Sequence, residues 1–234
     1  MSFSLIRNKL PALPLFDGGS LPSPIRTLAA LEKFESRHNR SICLTFDDGP
    51  DPVYTQKILD VLADYDVKAT FFVLGEAAEQ FPHLVEKMLS AGHNVGNHTY
   101  SHRHPWLISS ERAKYEVIQA SRVINDIIGS APRWFRPPFG RLRAAMRKQA
   151  HDEGMTTVLW SHSIIDWGVL GTEAGICRRL DQIQAGDIVL MHDGKREHNH
   201  PEITFRCLPK FLRSLSNKSL IACNLDEVFQ GMDK

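Results

Sequence analysis

At 234 residues the chain is long enough for one large domain with a substantial core. Hydrophobic residues at 42% and charged residues at 24% match ordinary globular proteins and exclude a disordered or fibrous chain. Lysine and arginine number 28 against 27 aspartates and glutamates, a net charge of +1, which removes any electrostatic ground for a nucleic-acid or anionic-membrane partner.

Residues 1–40 carry Pro11, Pro14, Pro22 and Pro24 with Gly18 and Gly19, which break any long period and predict an irregular extension ahead of a catalytic domain over 41–234. The opening residues lack an uninterrupted apolar run, and no later stretch approaches the ~20 apolar residues of a membrane span, so a cytoplasmic protein is expected. Cys43, Cys177, Cys207 and Cys223 are widely separated and form no C-x-x-C pair, so reduced, partly buried thiols are expected rather than a zinc knuckle or redox motif.

From Ser41 onward, short apolar runs alternate with amphipathic stretches. Ile42 to Phe46 predicts the first strand, and Ile58, Val61, Leu62 and Tyr65 share one face of the helix after it. Ala69 to Leu74 is strand-like; Leu84, Val85, Met88 and Leu89 mark a helix closed by Gly92; His93 to Asn97 is the next strand. Ala113, Val117, Ala120, Ile124 and Ile128 form a helical stripe ending at Gly129, before a short strand at Trp134 to Arg136. Further strands are expected at Thr156 to Ser161, Asp187 to His192 and Leu220 to Asn224. About seven strands in βα succession suit an α/β fold, either a distorted, TIM-like (β/α) barrel of parallel strands or an open doubly wound sheet. The barrel is favoured because candidate catalytic residues fall at the C-terminal ends of several different strands.

Asp47 and Asp48 sit where the first strand passes into Gly49-Pro50. Neighbours in a strand face opposite ways, but a turn there directs both carboxylates into one pocket; a plain turn is the competing reading. His98 and His102 are four apart, a spacing that on a helical turn places both imidazoles on one side, and that also suits two exposed loop histidines. One carboxylate with two imidazoles leaves open coordination positions, as a catalytic divalent metal requires. Arg136, Trp167 and His192 each have an ordinary structural reading when taken alone.

Taken in order, these segments resemble the five motifs of the polysaccharide deacetylases, the NodB-like carbohydrate esterases. The resemblance runs from about Ser41 to about Gln230 and rests most firmly on Thr45 to Pro50 (Thr-Phe-Asp-Asp-Gly-Pro) and Gly92 to His102. It implies that Asp48, His98 and His102 hold one divalent metal, zinc first, with cobalt, manganese or nickel also compatible. Asp47 is then the general base and His192 the general acid; Arg136 holds Asp47, and Asp166 orients His192. Phe139 supplies a backbone N–H to the oxyanion, and Trp167 and Leu190 receive the acetyl methyl. Tyr100, His104 and Trp106 follow the metal-binding turn and are candidates to stack on a sugar ring, Trp106 being equally compatible with core packing or a loop anchor.

The implied reaction is removal of N-acetyl groups from N-acetylglucosamine-containing polysaccharides or oligosaccharides. Alternatives are a deacylase of small or lipid-linked amino-sugar metabolites, an acetyl xylan esterase, and a non-catalytic sugar-binding protein. Two positions depart from the pattern: Phe139 stands where tyrosine is usual, and Ser163 where the fourth motif commonly carries an aspartate. His198 and His200 are read as loop residues rather than a second metal site.

Overall fold

The computed structural model describes residues 40–229, so all of the predicted extension but Arg40 lies outside the described residues, as do residues 230–234. Eight strands and eight α-helices follow one another among them. They are β1 (Ser41–Asp47), α1 (Tyr54–Asp64), β2 (Thr70–Val73), α2 (Gly75–Gln80), α3 (Pro82–Ser90), β3 (Asn94–Asn97), α4 (Ser110–Ile128) and β4 (Trp134–Phe135). Then come α5 (Ala144–Asp152), β5 (Thr156–Thr157), β6 (His162–Ser163), α6 (Glu173–Asp181), β7 (Ile188–His192), α7 (Pro201–Ser214), β8 (Ile221–Cys223) and α8 (Leu225–Phe229). All ladders are parallel, in the order β5-β4-β3-β2-β1-β7-β6. The eighth strand pairs with the first half of β1, at Ser41 to Cys43, while β2 takes the second half, at Thr45 to Asp47.

The expected α/β barrel is therefore present, but incompletely paired. Thr156 to Ser161 is not one strand: pairing stops at Thr157 and resumes at His162. Among the described residues no ladder joins β5 to β6. The Arg136 guanidinium reaches into this seam, Nη2 donating to Leu159 O at 2.8 Å and Nε to Val158 O at 3.3 Å. The extra helix α2 was not foreseen because its Gly-Glu-Ala-Ala-Glu-Gln sequence carries almost no apolar stripe.

Strand alternation sorts the core into two layers. Ile42, Leu44 and Phe46 join the large cluster beneath the surrounding helices, whereas Cys43 belongs with Phe72, Trp134, Val158, Ile188, Leu225 and Phe229. This second set lies on the barrel side of the strands, on the same β1 face as Asp47. Gly96 is required for its packing: a side chain there would meet the Phe72 ring at 2.8 Å and Trp134 O at 3.0 Å. The long helix α4 starts at Ser109, whose hydroxyl accepts the Arg112 N–H at 3.1 Å, and ends at Gly129 with φ 74°. No described helix is long and apolar enough to cross a membrane.

His93, at the entry to β3, is 3% exposed and accepts the Ala69 N–H on Nδ1 at 3.1 Å. Burial, assisted by Lys68, lowers its pKa to about 4. A histidine held neutral by the fold binds fewer protons folded than unfolded, so its contribution is complete above pH ~6.5 and is lost as the pH falls toward about 4. The expected loss at pH 4 is on the order of 3 kcal/mol, at ~1.4 kcal/mol per unit. Denaturant unfolding of the wild type and of His93→Gln across this range should converge toward acid; parallel curves would contradict it.

Candidate active site

The C-terminal ends of β1, β3, β4 and β7 open on one pocket of about 630 Å³. Asp47, Asp48, His98, His102, Phe139, Trp167, Leu190 and His192 all line it. Arg136 and Asp166 lie just behind, each 0% exposed.

Asp47 ends β1 with its side chain on the barrel face, and Asp48 follows with φ 75°. This left-handed residue turns the second carboxylate toward the same pocket, a conformation aspartate tolerates better than most residues. The turn is pinned from behind: the N–H groups of Asp193 and Gly194 donate to Asp47 O at 3.2 and 3.3 Å. A side chain at Gly49 would collide with the Asp193 carboxylate.

His98 and His102 meet without a helix. Thr99 and His102 have φ of 71° and 54°, so a loop with two left-handed residues achieves the convergence expected of a helical turn. The reason is local: Asn97 Oδ1 accepts the Thr99 N–H at 2.7 Å, and Glu116 accepts the Ser101 N–H at 2.7 Å, giving the loop backbone partners other than its own. His98 Nδ1 bonds Arg136 O at 2.7 Å, which fixes the tautomer and leaves Nε2 as the free lone pair. Nε2 of His98 and of His102 stand 3.6 and 3.2 Å from Asp48 Oδ1.

Candidate ligand atoms of Asp48, His98 and His102 lie within 4.8 Å of one another. Asp48 Oδ1 is buried with no hydrogen-bond partner, while Oδ2 accepts from Asn199 Nδ2 at 2.6 Å. Burial lowers the His102 pKa to about 3, against the pull of Asp48, so its imidazole is neutral. For Asp48, burial acts to raise the pKa, but His102, His192 and His98 outweigh it and hold the carboxylate below its ordinary value. An orphaned carboxylate oxygen facing two imidazole nitrogens fits a divalent cation.

Two ion pairs flank this group. Arg136 Nη1 donates to Asp47 Oδ1 at 2.8 Å and to Thr45 Oγ1 at 2.7 Å, with its guanidinium 4.1 Å from the centroid of the Phe72 ring. Asp166 Oδ1 pairs with His192 Nδ1 at 2.8 Å, and Oδ2 accepts from His192 N at 2.8 Å and from Thr204 Oγ1 at 2.7 Å. Burial acts against the imidazolium, but the charge and hydrogen bond of Asp166 prevail and raise the His192 pKa to about 9. Asp166 is thus fully bonded with a serine, Ser163, three residues before it. Ser163 Oγ instead accepts the Ile165 N–H at 3.1 Å, beside a left-handed Ile165 with φ 49°.

Phe139 has φ 58° and ψ 12°, and its ring is 4.6 Å from that of His102. Trp167 meets His192 edge-on at 5.4 Å. Tyr100 is not brought to the pocket: its hydroxyl donates to Glu79 at 2.8 Å and its ring packs beside Gly75 on the helical core. Alternation past His98 does not survive the left-handed turn, which is why sequence position misplaces it. Trp160 and the run Lys195 to Asn199 also line the pocket. The one signal for the latter was its position, directly after the β7 end that carries His192.

The model of the family described as "Polysaccharide deacetylase" matches residues 35–158. A peptidoglycan-N-acetylglucosamine deacetylase of Bacillus cereus is 34% identical over 198 residues, covering 84% of this chain and 71% of the relative. A chitooligosaccharide deacetylase of Sinorhizobium fredii is 37% identical over 155 residues, covering 66% of this chain and 72% of the relative. Among solved structures, a crystal structure of a peptidoglycan N-acetylglucosamine deacetylase superposes with a TM-score of 0.78 at 33% identity, covering 88% of this chain and 97% of that one.

Proposed function

The chain belongs to the polysaccharide deacetylase family, and from that premise we propose that it hydrolyses the N-acetyl groups of N-acetylglucosamine-containing glycans at the pocket of Asp47 and His192. The observation that carries this reading is the pair of oppositely charged couples, Asp47 with Arg136 and Asp166 with His192, on either side of the Asp48, His98 and His102 group. One couple sets a guanidinium against the carboxylate of the base and the other holds the imidazole of the acid protonated, as the start of a turnover needs.

Asp48, His98 and His102 would hold the divalent ion, zinc by preference, with cobalt, manganese or nickel suited to the same donors. When bound, such an ion supplies Lewis acidity and lowers the pKa of water toward neutrality. Asp47 Oδ2, the oxygen not engaged by Arg136, takes a proton from the attacking water as the new C–O bond forms at the acetyl carbonyl. The Phe139 N–H, carried on its left-handed backbone, faces the developing oxyanion. His192 Nε2 then gives its proton to the departing nitrogen as the C–N bond breaks, releasing acetate and a free amine. Without that proton an amide nitrogen leaves poorly, so Asp166 acts by keeping His192 charged and aimed. Trp167 and Leu190 form the apolar wall for the methyl group.

Asn199 contributes by holding Asp48 Oδ2, so that Oδ1 alone is presented to the ion. Asn199→Ala is expected to weaken metal binding by about 10–100-fold, measured by chelator competition on protein shown to be folded. Unaltered affinity would remove Asn199 from the site.

The overall reading is tested by acetate release from peptidoglycan glycan, chitin oligomers, amino-sugar monomers and acetylated xylan, with chelation and metal add-back. Release from the amino sugars, lost on chelation and restored by one ion, is expected. Folded, metal-loaded protein that releases no acetate from any of them would refute it. Release from xylan alone would make it an esterase, since an alkoxide departs with less help from His192 than an amide nitrogen needs.

A further inference from the structure

The walls of the pocket do not end at its mouth. The Phe139 ring, 54% exposed, lies 5.1 Å from His104, and His104 lies 6.0 Å edge-on from Trp106, itself 57% exposed. Leu107 beside it is 82% exposed, and the Arg141 guanidinium sits 5.2 Å from the Trp106 ring centroid. Large apolar side chains gathered on a surface need an explanation that scattered ones do not. These are also held in place. Arg143 Nη1 donates to Pro105 O at 2.8 Å and to Ile108 O at 2.5 Å, and Nη2 to Ser110 Oγ at 3.1 Å. His104 Nδ1 accepts the Trp106 N–H at 3.3 Å. The indole therefore stands on a turn fixed at both flanks, at little ordering cost to a ligand.

We propose that Trp106, continuous with the pocket through His104 and Phe139, is a stacking subsite for a further sugar unit of a glycan whose acetylated unit occupies the pocket. A pyranose ring presents an apolar face of C–H bonds, which an aromatic plane covers while its hydroxyls stay in water. Arg141 at the same ring offers donors to those hydroxyls. A ligand that reaches Trp106 from the pocket must pass two ring contacts beyond Phe139, the reach of a chain rather than of a single sugar. The inference rests on the deacetylase reading and names its substrate as oligomeric.

The test measures binding rather than turnover, so that it stands apart from the failure of that reading. Metal-loaded Asp47→Asn protein, with and without Trp106→Ala, is titrated calorimetrically with N-acetylglucosamine oligomers from monomer to pentamer. Affinity should rise with length, and Trp106→Ala should cost roughly 10-fold for the longer chains and leave the monomer unchanged. Trp106→Phe, which keeps a ring, should recover most of the loss. Length-independent affinity, or an equal loss at every length, would overturn the proposal. So would concentration-dependent self-association abolished by Trp106→Ala, which would make a second copy the occupant.

Discussion

Asp47→Asn is expected to slow acetate release by about 10²–10⁴-fold, the range that a positioned general base supplies, while the metal dissociation constant moves by less than about 10-fold, the smallest loss typical of a ligand-supporting group. The two halves follow from different oxygens. Asp47 Oδ1 is committed to Arg136 at 2.8 Å, and Oδ2 faces His98 Nε2 at 3.6 Å without belonging to the three-residue ligand group. Asparagine keeps the shape and still accepts from Arg136 through its amide oxygen, but has no basic lone pair for a water proton. Single-turnover acetate release beside chelator competition separates the halves. Wild-type rates in the variant would remove Asp47 as the base; loss of metal with the rate would make it a ligand.

Arg136→Met is expected to cost 3–5 kcal/mol, on the order of what breaking a buried ion pair costs, and to lower the melting temperature by roughly 6–20 °C for a domain of this size. Arg136 is 0% exposed and Asp47 3% exposed, so the orphaned carboxylate has little water to turn to. Thr45 Oγ1 and the carbonyls of Val158 and Leu159 also lose a donor. Adding Asp47→Leu should restore part of the stability, because an apolar pair tolerates burial that a lone charge does not. Activity should stay lost in the double variant. A single variant melting within a degree or two of wild type would show that the pair contributes to chemistry alone.

Much of this was readable in advance, for a physical reason. The βα succession shows in Leu84, Val85 and Met88, or in Ala113, Val117 and Ile124, because burial on one helix face imposes a period on sequence. Asp47, Asp48, His98, Arg136, Asp166 and His192 were legible because they cluster at strand ends in a recognisable order. What resisted was everything set by irregular backbone. The His98 to His102 turn has no helix to give it periodicity, and Tyr100 within it points to Glu79 rather than to the pocket. Asn199 and Trp160 reach the site only through the loops that follow β7 and β5, whose paths no local pattern encodes. The break between β5 and β6 was equally invisible, since no local pattern marks where pairing stops at Thr157 and resumes at His162.

That break has a further consequence. Elsewhere the barrel wall is closed by backbone ladders that are indifferent to which reaction the protein performs. Between β5 and β6 the closure is delegated to Arg136, the same cation that pairs with Asp47. Structural integrity and chemical readiness therefore share one fastening, and a fluctuation that parts the wall there also disarms the base. Amide hydrogen exchange across 158–161 should report on the working state of the site as directly as an assay of product.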